Sequence, residues 1–284
     1  LENGIKKEAT KGAKGTCLCC GAEVIAKCGK IRIAHWAHKN NEECPYSKKE
    51  PKTQWHLDWQ NHFPKEWQEV WCTDEQTGEV HIADIKTPNG LVVEFQHSAI
   101  NSEERLSRER YHKNMIWVVD GTRLQNDFDN FFAKFDCWRQ IFEPTQDRQY
   151  SIYKGFIYRR IPKLWSKVTT TVYFDFHNNV ANTKSQQEKE FRNLIWGFFQ
   201  INQEHFVVSM SHDYFVDLVK RNFIRNIEQY VISTFLPKLI SVPAITAPPV
   251  SRSPQMVYRR SNSYSGSNAR QINRIKSKNP GFRF

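Results

Sequence analysis

Two constellations in this 284-residue sequence have residue types and spacings suited to chemistry. The first is His81-Ile82-Ala83-Asp84, followed ten residues later by Glu94-Phe95-Gln96. Along a strand, Glu94 and Gln96 point to one face and Phe95 to the other. If the two segments pair through the turn Pro88-Asn89-Gly90, Asp84 and Glu94 become neighbours across the sheet. Two carboxylates at one spot repel unless a cation lies between them. Ligation by oxygen of this kind suits Mg²⁺ (or Mn²⁺), which takes one or two carboxylates and keeps water and phosphate oxygens. Gln96 would orient a water or a phosphate oxygen, and the ion would lower the water's pKa. This is the chemistry of phosphodiester hydrolysis. The spacing alone is a weak signal, because a solvated sheet face alternates acidic and polar residues by chance.

The second constellation is Cys17-x2-Cys20, then His35-x2-His38, then Cys44. A Cys-x2-Cys knuckle lets two thiolates converge on one Zn²⁺ while backbone N–H groups satisfy the sulfurs. Either His35 and His38 or His38 and Cys44 complete the set. The favoured set is Cys17, Cys20, His38 and Cys44, because His-x5-Cys leaves room for a turn and His35 directly follows a strand-like run. Seven cysteines, five of them before residue 45, in a chain without a visible secretion signal point to metal before disulfides. The ion's role is structural, since some 30 residues hold too little core to fold alone.

Around these groups the sequence reads as a mixed α/β chain. Thr53 caps a helix carrying Trp55, Leu57, Trp59 and Phe63. Residues 69–71, 80–85 and 91–96 read as strands in hairpin succession. Asn101 or Ser102 caps a second helix that runs to about Asn114. Met115 to Val119 is a continuous apolar run that fits a buried strand. Beyond residue 122, Phe128 to Phe142 reads as helix, 150–158 and 169–176 as strands, and 185–199 and 212–234 as helical or mixed. The expected division is a flexible lead (1–15), a zinc-binding module (16–50), a core (51–122), an accessory region (123–240) and a disordered tail (241–284).

The formal net charge is +11, but residues 241–284 carry eight Lys/Arg and no acid. That leaves 33 basic against 30 acidic residues before them, so the body is close to neutral. This argues against a histone-like protein that binds through bulk charge. The 19 Phe, 10 Tyr and 9 Trp exclude a wholly disordered chain. No apolar run reaches the length of a membrane span, and a cytoplasmic location is the expectation.

In order along the chain, the Cys-x2-Cys knuckle, His35-Trp36-Ala37-His38, Trp55-His56 with Trp59, His81 to Asp84, Val93 to Ser98, Arg108-Glu109-x-Tyr111 and Ile116 to Val119 resemble the competence protein CoiA-like family. The resemblance covers about residues 16–120. It implies a PD-(D/E)XK nuclease, with a restriction-endonuclease-like mixed sheet flanked by helices behind an N-terminal zinc segment. It further implies that Asp84 and Glu94 are Mg²⁺ ligands and that Gln96 stands where the superfamily usually has Lys. His56 is the titratable candidate on the first helix; Glu50, Asp58 and, on the next strand, Glu69 are the nearby acids. His97 and Ser98 follow the catalytic strand toward phosphate, while Arg108 and Tyr111 share a helix face toward the DNA backbone. The implied activity is metal-dependent cleavage of DNA, single-stranded or branched. Separately, the acid-free basic tail suits a flexible arm that raises local DNA concentration or docks a protein partner. The alternatives are a nuclease fold that binds nucleic acid without cutting it and a phage-defence effector switched on by a partner.

Overall fold

The computed structural model describes residues 7–30, 33–40, 44, 52–73, 80–123, 125–132, 139–154, 164–165, 168–177, 183–201 and 204–240. The described residues belong to one compact unit. The tail from residue 241 and Glu50 lie outside the described residues.

That unit begins with a small antiparallel sheet of β1 (Lys14–Thr16), β2 (Glu23–Lys27) and β3 (His35–His38), with β2 in the middle. From Lys7 onward the chain hydrogen-bonds to this sheet: the Trp36 indole donates to Lys7 O at 2.8 Å and the Ala26 amide to Ala13 O at 3.0 Å.

The main sheet has nine strands in the order β4-β5-β6-β7-β10-β11-β12-β9-β8. They are β4 (Gln68–Thr73), β5 (Val80–Lys86), β6 (Val92–Gln96), β7 (Met115–Asp120), β8 (Arg139–Phe142), β9 (Tyr150–Lys154), β10 (Val172–Asp175), β11 (Leu194–Ile201) and β12 (Glu204–Ser211). β6, β7 and β10 run parallel to one another, and the remaining neighbours are antiparallel. The sheet therefore takes strands from both sides of residue 122.

Helices cover both faces. Val93, Phe95, Ile116 and Val118 pack with Trp55 and Trp59 of α1 (Gln54–Asn61) and Phe215 of α5 (His212–Lys220). Their strand neighbours Val92, Met115, Trp117 and Val119 pack on the other side with Phe128 of α3 (Gln125–Phe132) and Phe191 of α4 (Gln186–Arg192). α2 (Ser102–Tyr111) sets Glu109 against the Trp117 indole at 3.1 Å, on that second side. α6 (Asn226–Ile240) closes the described chain. The caps are those the sequence marks: Thr53 accepts from the His56 amide and Asn101 from the Glu104 amide.

The helix expected over 128–142 is partly strand, and the segment 185–199, expected as helical or mixed, is α4 followed by a strand. Residues 139–142 form β8 and residues 194–201 form β11. Leu194 to Ile201 is a short, nearly continuous apolar run, and such a run has no periodicity to separate a buried strand from a buried helix. No helix among the described residues is long and apolar enough to cross a membrane.

Candidate functional site

In the N-terminal sheet, the donor atoms of Cys17, Cys20, His38 and Cys44 all lie within 4.8 Å of one another. The Cys17 and Cys44 sulfurs are 3.9 Å apart, and Cys20 Sγ is 3.2 Å from His38 Nε2. Four donors about 2.0–2.3 Å from a tetrahedral zinc stand about 3.6–3.8 Å from one another, so the cluster fits such an ion. The knuckle forms because Gly21 turns with φ 71°, its amide donates to Cys17 O, and the Cys19 amide donates to Cys17 Sγ at 3.3 Å. Burial first, then the neighbouring sulfurs of Cys44, Cys17 and Cys20, push the Cys19 thiol up to about 11, and the Cys19 backbone amide is the group that bonds Cys17 Sγ. The strand decides between the two histidines. In β3, Trp36 and His38 share the face packed toward the thiols, while His35 lies on the other and bonds Ile33 O at 2.8 Å. These residues can hold a metal ion such as zinc.

The acidic pair lies in the main sheet. β5 and β6 pair through Ile85↔Val93 and Lys86↔Val92, and one further step of that register sets Asp84 opposite Glu94. Both are 2 % exposed. The backbone ladder ends there, and carboxylates take over the amides: the Phe95 N–H donates to Asp84 Oδ2 at 3.0 Å and the Asp84 N–H to Glu94 Oε1 at 3.3 Å. The strand on the other side is also irregular. Glu69 lies between the pairs Gln68↔Ile85 and Val70↔Ala83, hence opposite Asp84, and its φ is 50°. Such a conformation costs a non-glycine residue about 1–3 kcal/mol. Ala83 and Ile85, which a regular strand would put on one face, pack in the two separate core clusters. β5 thus rolls over at Asp84 and aims its carboxylate where α1 and α2 both reach.

From α1, His56 Nε2 lies 3.4 Å from Asp84 Oδ1, is buried, and makes no hydrogen bond among the described residues. One turn later, Gln60 donates to Asp84 O at 3.3 Å. From α2, Arg108 donates to Glu94 Oε2 at 3.2 Å and to Glu104. Burial alone would lower the pKa of Arg108, but the carboxylates of Glu94, Glu104 and Asp84 outweigh it and raise it. Tyr111 stacks on His81 with centroids 3.9 Å apart. A cleft of about 610 Å³, lined by His81, Glu103, Glu104, Ser107, Arg108 and Arg110, opens beside them.

Not every expected residue converges. Gln96 is turned to Ser98, donating to its carbonyl at 3.0 Å and its hydroxyl at 3.1 Å. His97 pairs through Nδ1 with Asp120 Oδ2 at 2.7 Å, at the carboxyl end of the sheet. Asp58 is exposed and bonded to Gln54, and Glu69 pairs with Lys52. Sequence reasoning missed Gln60, whose signal is its place four residues after His56 on one helix face. It also missed Asp120 and Asp175, for which only the end of an apolar run was visible.

Asp84 and Glu94 suit a small hard cation, which needs only one or two protein carboxylates. Among the described residues, the Cys₃His cluster is the group in which three or more donor side chains converge within 4.8 Å.

No curated protein and no solved structure matches the chain. Residues 3–47, the segment that holds the Cys₃His cluster, match the family model described as competence protein CoiA, N-terminal domain, which supports the place in a CoiA-like family that the motifs indicate.

Proposed function

We propose that this protein is a metal-dependent nuclease that cuts phosphodiester bonds in DNA at Asp84 and Glu94, with a role related to competence as the match at residues 3–47 suggests. The reading rests chiefly on the register of β5 and β6, which sets two buried carboxylates opposite each other where both ladders break. Asp84 and Glu94 would hold Mg²⁺ or Mn²⁺, which supplies a polarised phosphoryl oxygen and a water that loses its proton near neutral pH. His56, with its buried nitrogen beside Asp84, is placed to hold or move a proton. Arg108 brings a permanent positive charge to the site, where Gln96 brings none. His97, Ser98 and Tyr111 would border the substrate. The Cys₃His cluster would hold structural Zn²⁺.

The test is cleavage of circular single- and double-stranded DNA with Mg²⁺ or Mn²⁺. The wild type should cut, and Asp84→Asn and Glu94→Gln should each lose about 100-fold or more while keeping the wild-type melting transition. Full activity in both variants would remove the assignment. One observation favours a binding module without catalysis: the Gln96 amide is spent on Ser98 and not on the carboxylates. DNA binding by a wild type inert with both ions would support that reading.

A further inference from the structure

Asp175 ends β10 and is 4 % exposed. Its two oxygens accept four hydrogen bonds. Oδ2 receives the indole N–H of Trp55 at 2.8 Å and of Trp59 at 2.9 Å. Oδ1 receives the His177 amide at 2.9 Å and faces His212 Nε2 at 3.0 Å. His212 is the first residue of α5, and its Nδ1 faces the carbonyl of Asn193, which ends α4. Both nitrogens of that ring therefore face oxygens of other elements. The ring of His177 lies 5.2 Å from that of His212. Burial alone would raise the Asp175 pKa, but the His212 bond and charge, then the His177 amide and the Trp55 indole, hold it below the ordinary carboxylate range.

Trp55 and Trp59 are one helical turn apart, so two donors on one stripe of α1 converge on one carboxylate. His56 and Gln60 form the adjacent stripe, displaced by about 100° around the same helix, and both meet Asp84. Fixing the rotation of one stripe fixes the other. A rotation of a few tens of degrees would carry His56 Nε2 away from Asp84, and the two indole bonds to Asp175 oppose it together with the packing of Trp55 and Trp59.

We propose that Asp175, backed by His212, is a positioning residue: it sets the rotation of α1 and thereby holds His56 and Gln60 on Asp84. This role rests on the reading of Asp84 as part of a hydrolytic site, but the clamp itself can be measured without any activity. In the full-length protein, the indole N–H signals of Trp55 and Trp59 are assigned by Trp55→Phe and Trp59→Phe and compared in wild type and Asp175→Asn. Hydrogen exchange of the α1 amides is read in the same samples. Asp175→Asn should shift both indole signals and speed exchange across α1. With Mn²⁺ and saturating DNA it should lower kcat by about 10- to 100-fold, with the Kd for DNA unchanged. His212→Gln, which keeps one donor for Asp175, should fall between wild type and Asp175→Asn.

If Asp175→Asn does not fold, Trp59→Phe keeps the ring and removes one of the two indole donors. It should still shift the Trp55 signal and lower kcat. Unchanged indole signals and unchanged α1 exchange in the folded variants would overturn the clamp. Altered signals with wild-type kcat would overturn its positioning role. A wild type inert with every metal would sink the hydrolytic reading, and the indole and exchange measurements would still decide the clamp.

Discussion

Cys17 and Cys44 are buried sulfurs 3.9 Å apart, and among the described residues Val24, Cys19 and Trp36 pack beside them. So small a core needs the ion to hold it. Elemental analysis should find about one equivalent of tightly bound zinc per chain, and Cys44→Ser should lose it. A folded, zinc-free wild type would refute the assignment. A second test at this scale uses His112, which caps α2 and is 7 % exposed. Burial first, then the positive neighbours His81, Lys86 and Arg108, pull its pKa from 6.5 down to about 4, against the opposite pull of Asp84. The unfolded chain takes up this proton near pH 6.5 and the folded one does not until about pH 4. His112 therefore costs no stability above pH 6.5, and its penalty grows as pH falls from 6.5 to 4. Denaturant titrations of His112→Gln should show a smaller loss of stability across that window than the wild type. Equal slopes would mean that the imidazole is reached by water in the native state.

The elements explain what was legible in the sequence and what was not. The hairpin of β5 and β6 was readable because Pro88-Asn89-Gly90 fixes a turn and the register follows from it. Asp84 therefore meets Glu94 as the spacing predicts. The Cys₃His set was readable because Cys17-x2-Cys20 forms a knuckle and His38-x5-Cys44 leaves room for a turn, and the period of two in β3 then separates His38 from His35. The left-handed Glu69 and the rollover at Asp84 were not, because nothing in Gln68-Glu69-Val70 marks a strand that must leave its regular path. Nor was Asp175, whose partners Trp55 and Trp59 lie about 120 residues upstream. The strand β11 was hidden by its own burial, and its Gly197 shows why the sheet tolerates such a run. Tyr173 and Val208 are the register partners of Gly197 on its two sides, and an added Cβ would stand 2.5 Å from the Tyr173 ring and 2.7 Å from Val208 Cγ1. Gly197→Val should lower stability by about 1–3 kcal/mol or more in denaturant unfolding. A neutral result would mean that the Tyr173 ring is free to swing aside.

Across the whole molecule, charge and chemistry lie in different parts. The body to residue 240 is near neutral, and the last 44 residues carry eight Lys/Arg with no acid. Cations that release counterions from DNA set the salt dependence of binding. Deleting 241–284 should weaken DNA binding and flatten its dependence on salt, while cleavage at saturating DNA stays at the wild-type rate. Loss of cleavage at saturation would tie the tail to the chemistry.

The place of β10 between β7 and β11 has a consequence in time. A ribosome releases Asp84 and Glu94 long before it releases Asp175, and His212 later still. Domains fold as their segments emerge, at about 5–20 residues per second. In the interval β7 has an unpaired edge and α1 has no acceptor for its indoles. A half-made or prematurely terminated chain thus carries both carboxylates without the group that sets His56 beside them. For a protein proposed to cut DNA, this order of synthesis delays the complete site until the chain has passed His212.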